Sequence, residues 1–137
     1  MQIRTHEKID QELSGKPINL EEGHCVIELT AIKKMRADSS GLIHGGFIFS
    51  MADYAAMLAV NHPNVLLGEA TFKFIKPALV GDLLYAQANI IEDLGKKRVV
   101  EVKIMKDSQN SNEKIAEGKF TCFIPKQHVL EEVKKYE

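Results

Sequence analysis

The stretch Gly41–Asn61, GLIHGGFIFSMADYAAMLAVN, is apolar on nearly every side and carries a single carboxylate, Asp53. Read as a helix over Gly46–Asn61, it places Ile48, Met51, Ala52, Ala55 and Leu58 on one stripe and Phe49, Asp53, Met57 and Val60 on another. A helix without a polar face must be surrounded, so the rest of the chain has to wrap around it. Asp53 then stands in an apolar wall, where an ionised carboxylate costs several kcal/mol unless something compensates it.

The C-terminal half of the chain can do the wrapping. Pro63 ends the helical run, and four stretches of strand character come after it: Leu66–Ile75, Asp82–Glu92, Arg98–Lys106 and Lys114–Ile124. Leu84, Ala86, Ala88 and Ile90 alternate along the second of these, and Val100, Val102 and Ile104 along the third. The connections EDLGKK and DSQNSNE suit antiparallel hairpins. Before the helix, His24–Ile32 reads as a strand, and KKMRADSSG as a polar loop. Ile3, Ile9 and Leu13 predict a short amphipathic helix within residues 1–14, stopped at SGKP. The expected architecture is α+β: a curved antiparallel sheet of five strands around one central helix. It forms one domain, with a helical covering segment over 1–20, a core over 21–125 and a tail over 126–137.

Composition narrows the function classes. The 137 residues are 45% hydrophobic and 27% charged, ordinary for a globular protein. A net charge of −1 gives no general attraction to nucleic acid or acidic membranes, so any anionic ligand must be met locally. Ser50, Asp53 and Tyr54 interrupt the longest apolar run, which argues against a membrane span. The charged start MQIRTHEKIDQEL does not read as a signal peptide. Cys25 and Cys122 lack metal-ligand spacing and read as reduced core thiols in a cytoplasmic protein. No metal and no bound cofactor is expected.

His44, Gly45 and Gly46 directly precede the helix, so free backbone amides and the positive end of its dipole meet whatever lies there. Donors so placed can stabilise negative charge growing on a carbonyl oxygen. Asp53 lies nine residues beyond His44, too far along the helix to serve the same end of its own chain. A partner subunit can supply the complementary half. An exposed sheet edge also favours pairing, so a homodimer or a dimer of dimers is expected.

The segment GLIHGGFIFSMAD resembles the G-x-x-H-G-G motif, with A-D following at nine residues from the histidine, of hot-dog fold acyl-CoA thioesterases of the phenylacetate-pathway type. FKFIKPALVGD is similar to that family's strand ending in Pro and followed by Gly-Asp. The resemblance implies that Asp53 is the catalytic base or nucleophile and that the Gly45 amide, with Gly46, polarises the thioester carbonyl. His44 would orient that carbonyl, and Phe47 and Met57 would line the acyl pocket. It further implies a substrate contact at Asp38, which stands where the family usually has Asn, and a hydroxyl at Thr71. Lys73, Lys76 and Arg98, with Lys96 and Lys97, are the candidate contacts for the coenzyme phosphates. The implied function is hydrolysis of a small, medium or aromatic acyl-CoA; the alternative is a catalytically silent acyl-CoA-binding or regulatory protein.

Overall fold

The computed structural model describes residues 1–108 and 111–134. A four-residue helix, α1 (Gln11–Ser14), precedes strands β1 (Lys16–Glu21) and β2 (His24–Thr30). A 3-10 turn at Lys33–Met35 leads towards the long helix α2 (Gly45–Val60). Strands β3 (Leu66–Phe74), β4 (Leu83–Asp93), β5 (Lys97–Ser108) and β6 (Ser111–Phe123) come next, then α3 (Val129–Lys134). The strands form one antiparallel sheet in the order β1-β2-β4-β5-β6-β3, so β1 and β3 are its edges.

The core is built as the alternation predicts. Cys25, Ile27 and Leu29 of β2, Leu84, Ala86 and Ala88 of β4, and Val100, Val102 and Ile104 of β5 are buried with Met51, Ala52, Ala55, Ala56 and Leu58 of α2. Alanines along the helix let the sheet approach its backbone closely, which suits a curved sheet wrapped round a single helix. At its far end α2 closes on Asn61 in the left-handed region (φ 50°), a conformation Asn tolerates. The Asn61 side chain accepts from the Arg4 amide and donates to the Gln2 carbonyl, both at 2.8 Å, and so ties the N-terminal segment to the helix end.

Two expectations are corrected at the N-terminus. Residues 1–14 do not form the helix that Ile3, Ile9 and Leu13 suggest; helix is confined to Gln11–Ser14, where Asp10 caps it by accepting from the Glu12 amide. His6 adopts φ 54°, which a continuous helix excludes. The sheet has six strands rather than five, because Lys16–Glu21 pairs with β2 as β1, so sheet structure starts before residue 21. KPINLE contains a proline and alternates poorly, but an edge strand with a bulge between Pro17 and Asn19 accommodates both. The tip of the β5–β6 connection, residues 109–110, lies outside the described residues.

The β3–β6 seam is especially tight at Gly118, opposite Phe72: a Cβ there would lie 2.3 Å from the Thr71 carbonyl oxygen. Gly118→Val should therefore lower stability by about 3 kcal/mol, through displacement of backbone rather than of a movable side chain. Urea unfolding checks this, and an unchanged midpoint would contradict it.

Candidate active site

The start of α2 rests on two interlocked segments. Arg36 bridges Ile43 and Leu42 bridges Leu79. The Ile43 amide donates to the Ala78 carbonyl, the Val80 amide to the Gly41 carbonyl and the His44 amide to the Met35 carbonyl, at 2.8–2.9 Å. The Gly-Asp pair has a structural role here. Gly81 takes φ 96°, and Asp82 accepts from the Leu79 amide at 2.8 Å and pairs with Lys106 at 3.1 Å, fixing the 77–82 turn.

His44 is the N-cap of α2, yet its side chain caps nothing. Its ring instead lies beside Gly46, where a Cβ would come within 2.8 Å of Nε2, and meets Phe47 edge-on at 6.1 Å. Glycine is therefore required at 46 for this ring position. The Phe47 amide is satisfied by the His44 carbonyl, but among the described residues no acceptor meets the amides of Gly45 and Gly46. Beside Gly45 lies an apolar cleft of about 320 Å³ lined by Ile43, Ile48, Phe74, Ile75 and Pro77, with Lys76 among its lining residues.

Asp53 sits two turns into α2. The residue is half-buried, but Oδ1 is shut off from solvent and has no hydrogen-bond partner among the described residues. Ser50, one turn earlier, is engaged with Ser14 at 2.8 Å. Burial raises the Asp53 carboxyl from 3.8 to about 6. The Cys122 thiol is pushed to about 12, chiefly by burial and secondarily by the Asp53 charge, which places Cys122 of β6 near this carboxylate. An aromatic cluster lies on the same side of the helix: Phe49, one turn before Asp53, meets Phe72 and Phe120 at 5.5 Å, and Phe72 meets Phe74 at 5.0 Å. The role of Phe74 and Phe120 beside the site is not evident from sequence, although the alternation of Phe72 and Phe74 on β3 is the available signal.

The remaining candidates scatter. Met57 is fully buried in the core, and Phe47 is half-buried beside His44. Asp38 is fully exposed; its carboxylate accepts from the Ser40 hydroxyl at 2.5 Å and the Ser40 amide at 2.9 Å, which holds it below the usual carboxylate range. Thr71 and Lys73 line a groove of about 690 Å³ with Glu101, Glu117 and Lys119, which includes neither Asp53 nor Gly45. Lys76 pairs with Glu113 at 2.5 Å. Arg98 pairs with Asp93 at 3.4 Å in a cleft at the opposite end of α2, beside Ala59–His62. Lys73, Arg98 and Lys76 thus line three separate clefts of the single chain. Among the described residues there is no cluster of three or more His, Cys, Asp or Glu able to hold a metal, and no helix long and apolar enough to cross a membrane.

A curved antiparallel sheet wrapped around one helix that begins at His-Gly-Gly defines a hot-dog fold protein. The thioesterase superfamily profile matches residues 40–112, and the chain belongs to that superfamily. A crystal structure from Pyrococcus horikoshii is 51% identical, covers 95% of this chain and 97% of its own, and superimposes with a TM-score of 0.89. A methylthioribose-1-phosphate isomerase of Aquifex aeolicus is 52% identical over 90% of this chain, but the chain spans only 26% of that protein's length. A transcription factor FapR of Thermoanaerobacter pseudethanolicus is 33% identical over 80% of this chain and 53% of its own length. The acyl-coenzyme A thioesterase PaaI of Escherichia coli is 28% identical over 69% of this chain and 68% of its own.

The raised Asp53 pKa has a stability consequence of definite sign. A carboxyl held at about 6 in the folded chain and 3.8 when unfolded contributes its stabilisation in full below 3.8 and loses it as pH rises through 6. Wild type should therefore lose on the order of 2–3 kcal/mol relative to Asp53→Asn between pH 4 and pH 7. Urea midpoints of the two proteins across that range, at one protein concentration, test this; parallel curves would contradict it.

Proposed function

We propose that this chain is an acyl-CoA thioesterase whose Asp53 acts as base on water, or as nucleophile, at the thioester carbon. The observation that carries the reading is the buried Asp53 oxygen with no partner, in a chain of the thioesterase superfamily. A carboxylate with one oxygen buried and unpaired is more basic than an exposed one, and the other oxygen, Oδ2, is the one open to a water molecule. As water adds to the carbonyl carbon, its proton passes to Asp53 and the oxygen becomes an oxyanion. The Gly45 amide, assisted by Gly46, is the matching donor. Collapse of the intermediate expels the coenzyme thiolate, which takes its proton from the Asp53 carboxyl, leaving a free acid and a thiol. The apolar cleft beside Gly45 is suited to the acyl group or the inner part of the coenzyme arm.

Gly45 and Asp53 are eight residues apart, about 12 Å along a helix, so one carbonyl group cannot use both from the same chain. A second copy resolves this. Among the described residues the outer side of β3 pairs with no other strand, and its sequence is self-complementary. Antiparallel pairing centred on Thr71 sets Glu69 of each copy opposite Lys73 of the other, and Ala70 opposite Phe72. Such pairing would also cover Phe74, which is 55% exposed in the single chain.

One observation favours a second reading, an acyl-CoA-binding regulator without turnover. The FapR relative is named a transcription factor, and Asp38 replaces the Asn usual in the enzymes. Because Asp38 faces solvent and only closes its own turn, that replacement does not weigh strongly against catalysis.

Thiol release from a panel of short, medium, long and aromatic acyl-CoAs should fall by about 10²-fold in Asp53→Asn, with KM little changed. The kcat of wild type should rise with pH through about 6 as the carboxyl ionises. Asp38→Asn should retain turnover, since an amide oxygen can accept the same Ser40 bonds. Equal turnover by wild type and Asp53→Asn would overturn the mechanism, whereas acyl-CoA binding without thiol release would favour the regulator.

A further inference from the structure

Three of the coenzyme-phosphate candidates legible in the sequence, Lys73, Lys76 and Arg98, lie beside acids. Lys76 pairs with Glu113 and Arg98 with Asp93, and Lys73 lies close enough to Glu117 to lower its pKa. A different cationic cluster lies on the turn that leads towards α2. Lys33, Lys34 and Arg36 line a cleft of about 500 Å³ with Ala37, Asp38 and Ser39.

The local structure explains why the cluster forms. Met35 is fully buried and anchors the 3-10 turn, so its neighbours Lys34 and Arg36 stand in solvent. In a 3-10 turn residues three apart eclipse, which brings Lys33 and Arg36 to the same side. The Arg36 Nε donates to the Lys33 carbonyl at 3.1 Å, steadying the guanidinium while leaving its two terminal amino groups free. Lys34 is bound to Glu12 at 3.1 Å, but among the described residues neither Lys33 nor Arg36 pairs with a carboxylate. The acid in the cleft, Asp38, turns one of its two oxygens, Oδ1, to Ser40.

The cluster is also joined to the site. Arg36 bridges Ile43, two residues before Gly45, and the Met35 carbonyl accepts from the His44 amide. One strand spacing and two residue steps put the Arg36 Cα within roughly 13 Å of Gly45. The arm between the thioester and the diphosphate of coenzyme A has the reach of four or five residues, about 15 Å. We infer that Lys33 and Arg36 form a docking site for the diphosphate of the coenzyme thioester, on the same subunit as the Gly45 amide. Two unpaired cations, one a planar fork, suit phosphate oxygens better than an isolated lysine already bound to an acid. The inference rests on the thioesterase reading for its substrate.

The test compares an acyl-CoA with the same acyl group on N-acetylcysteamine, which has no phosphate. In Lys33→Gln/Arg36→Gln, KM for the CoA thioester should rise about tenfold with kcat retained, and the loss should be confined to that substrate. The KM of wild type for the CoA thioester should rise with added salt more steeply than that of the variant. An unchanged KM, an equal rise for both thioesters, or the same phenotype from Lys76→Gln/Arg98→Gln instead would overturn the assignment. If wild type hydrolyses neither thioester, the thioesterase reading fails separately, and calorimetric binding of coenzyme A itself decides the site. About tenfold weaker binding by the Lys33/Arg36 variant supports it, and equal affinity overturns it.

Discussion

The structure depends on burying a helix that has no polar face. Because α2 is rich in alanine and methionine around most of its circumference, the sheet can curve round it at close range, and β2, β4 and β5 supply alternating apolar residues to meet it. Burial on this scale offsets much of the conformational entropy lost in ordering the chain. It also determines what happens at the helix ends. The far end is closed by Asn61 and the N-terminal segment, while the near end begins on glycine and keeps two amides without acceptors among the described residues. The helix is thus sealed at one end and chemically open at the other.

The same burial sets the electrostatics. Asp53 shares its side of the helix with Phe49, among phenylalanines from β3 and β6, and none of the groups around it donates to its inner oxygen. An isolated carboxylate in that position costs stability, and its charge is felt as far as Cys122. A stability optimum alone would put an amide or an apolar residue there. Stability given up at one polar residue in an apolar wall is characteristic of a working site, where basicity matters more than folding energy. In the single chain this acid and the free amides stand about two turns of helix apart. In the proposed dimer, pairing along the edge of β3 would join one copy's acid to the other's amides.

Much of this was legible in the sequence because it depends on local pattern. The uniformly apolar helix, the alternation in β4 and β5, the glycines after His44 and the lone Asp53 all carry their meaning within a few residues. What escaped was decided by tertiary pairing. KPINLE becomes a strand only because β2 offers it an edge, and Gln2 and Arg4 are held by Asn61 rather than by helical spacing. The surroundings of the phosphate candidates are hidden for a related reason: sequence shows where a lysine is but not which acid sits across the sheet from it, as Glu113 does for Lys76. Asp38 is a candidate only through the family resemblance, and its sequence neighbourhood does not show that in the single chain it closes a turn by accepting from Ser40, two residues away. Lys33 and Arg36 read as ordinary loop charge until the buried Met35 between them shows how the turn is oriented.

The central claim is that Asp53 holds a half-buried carboxylate whose inner oxygen has no hydrogen-bond partner among the described residues, poised to accept a proton near neutral pH. The most direct measurement is a pH titration of its side-chain carboxyl carbon by NMR in the otherwise unaltered protein, with Asp53→Asn used to assign the resonance. The account predicts a midpoint of about 6. A midpoint at the ordinary aspartate value of about 4 would contradict it, because a carboxylate that titrates like an exposed one is solvated or hydrogen-bonded.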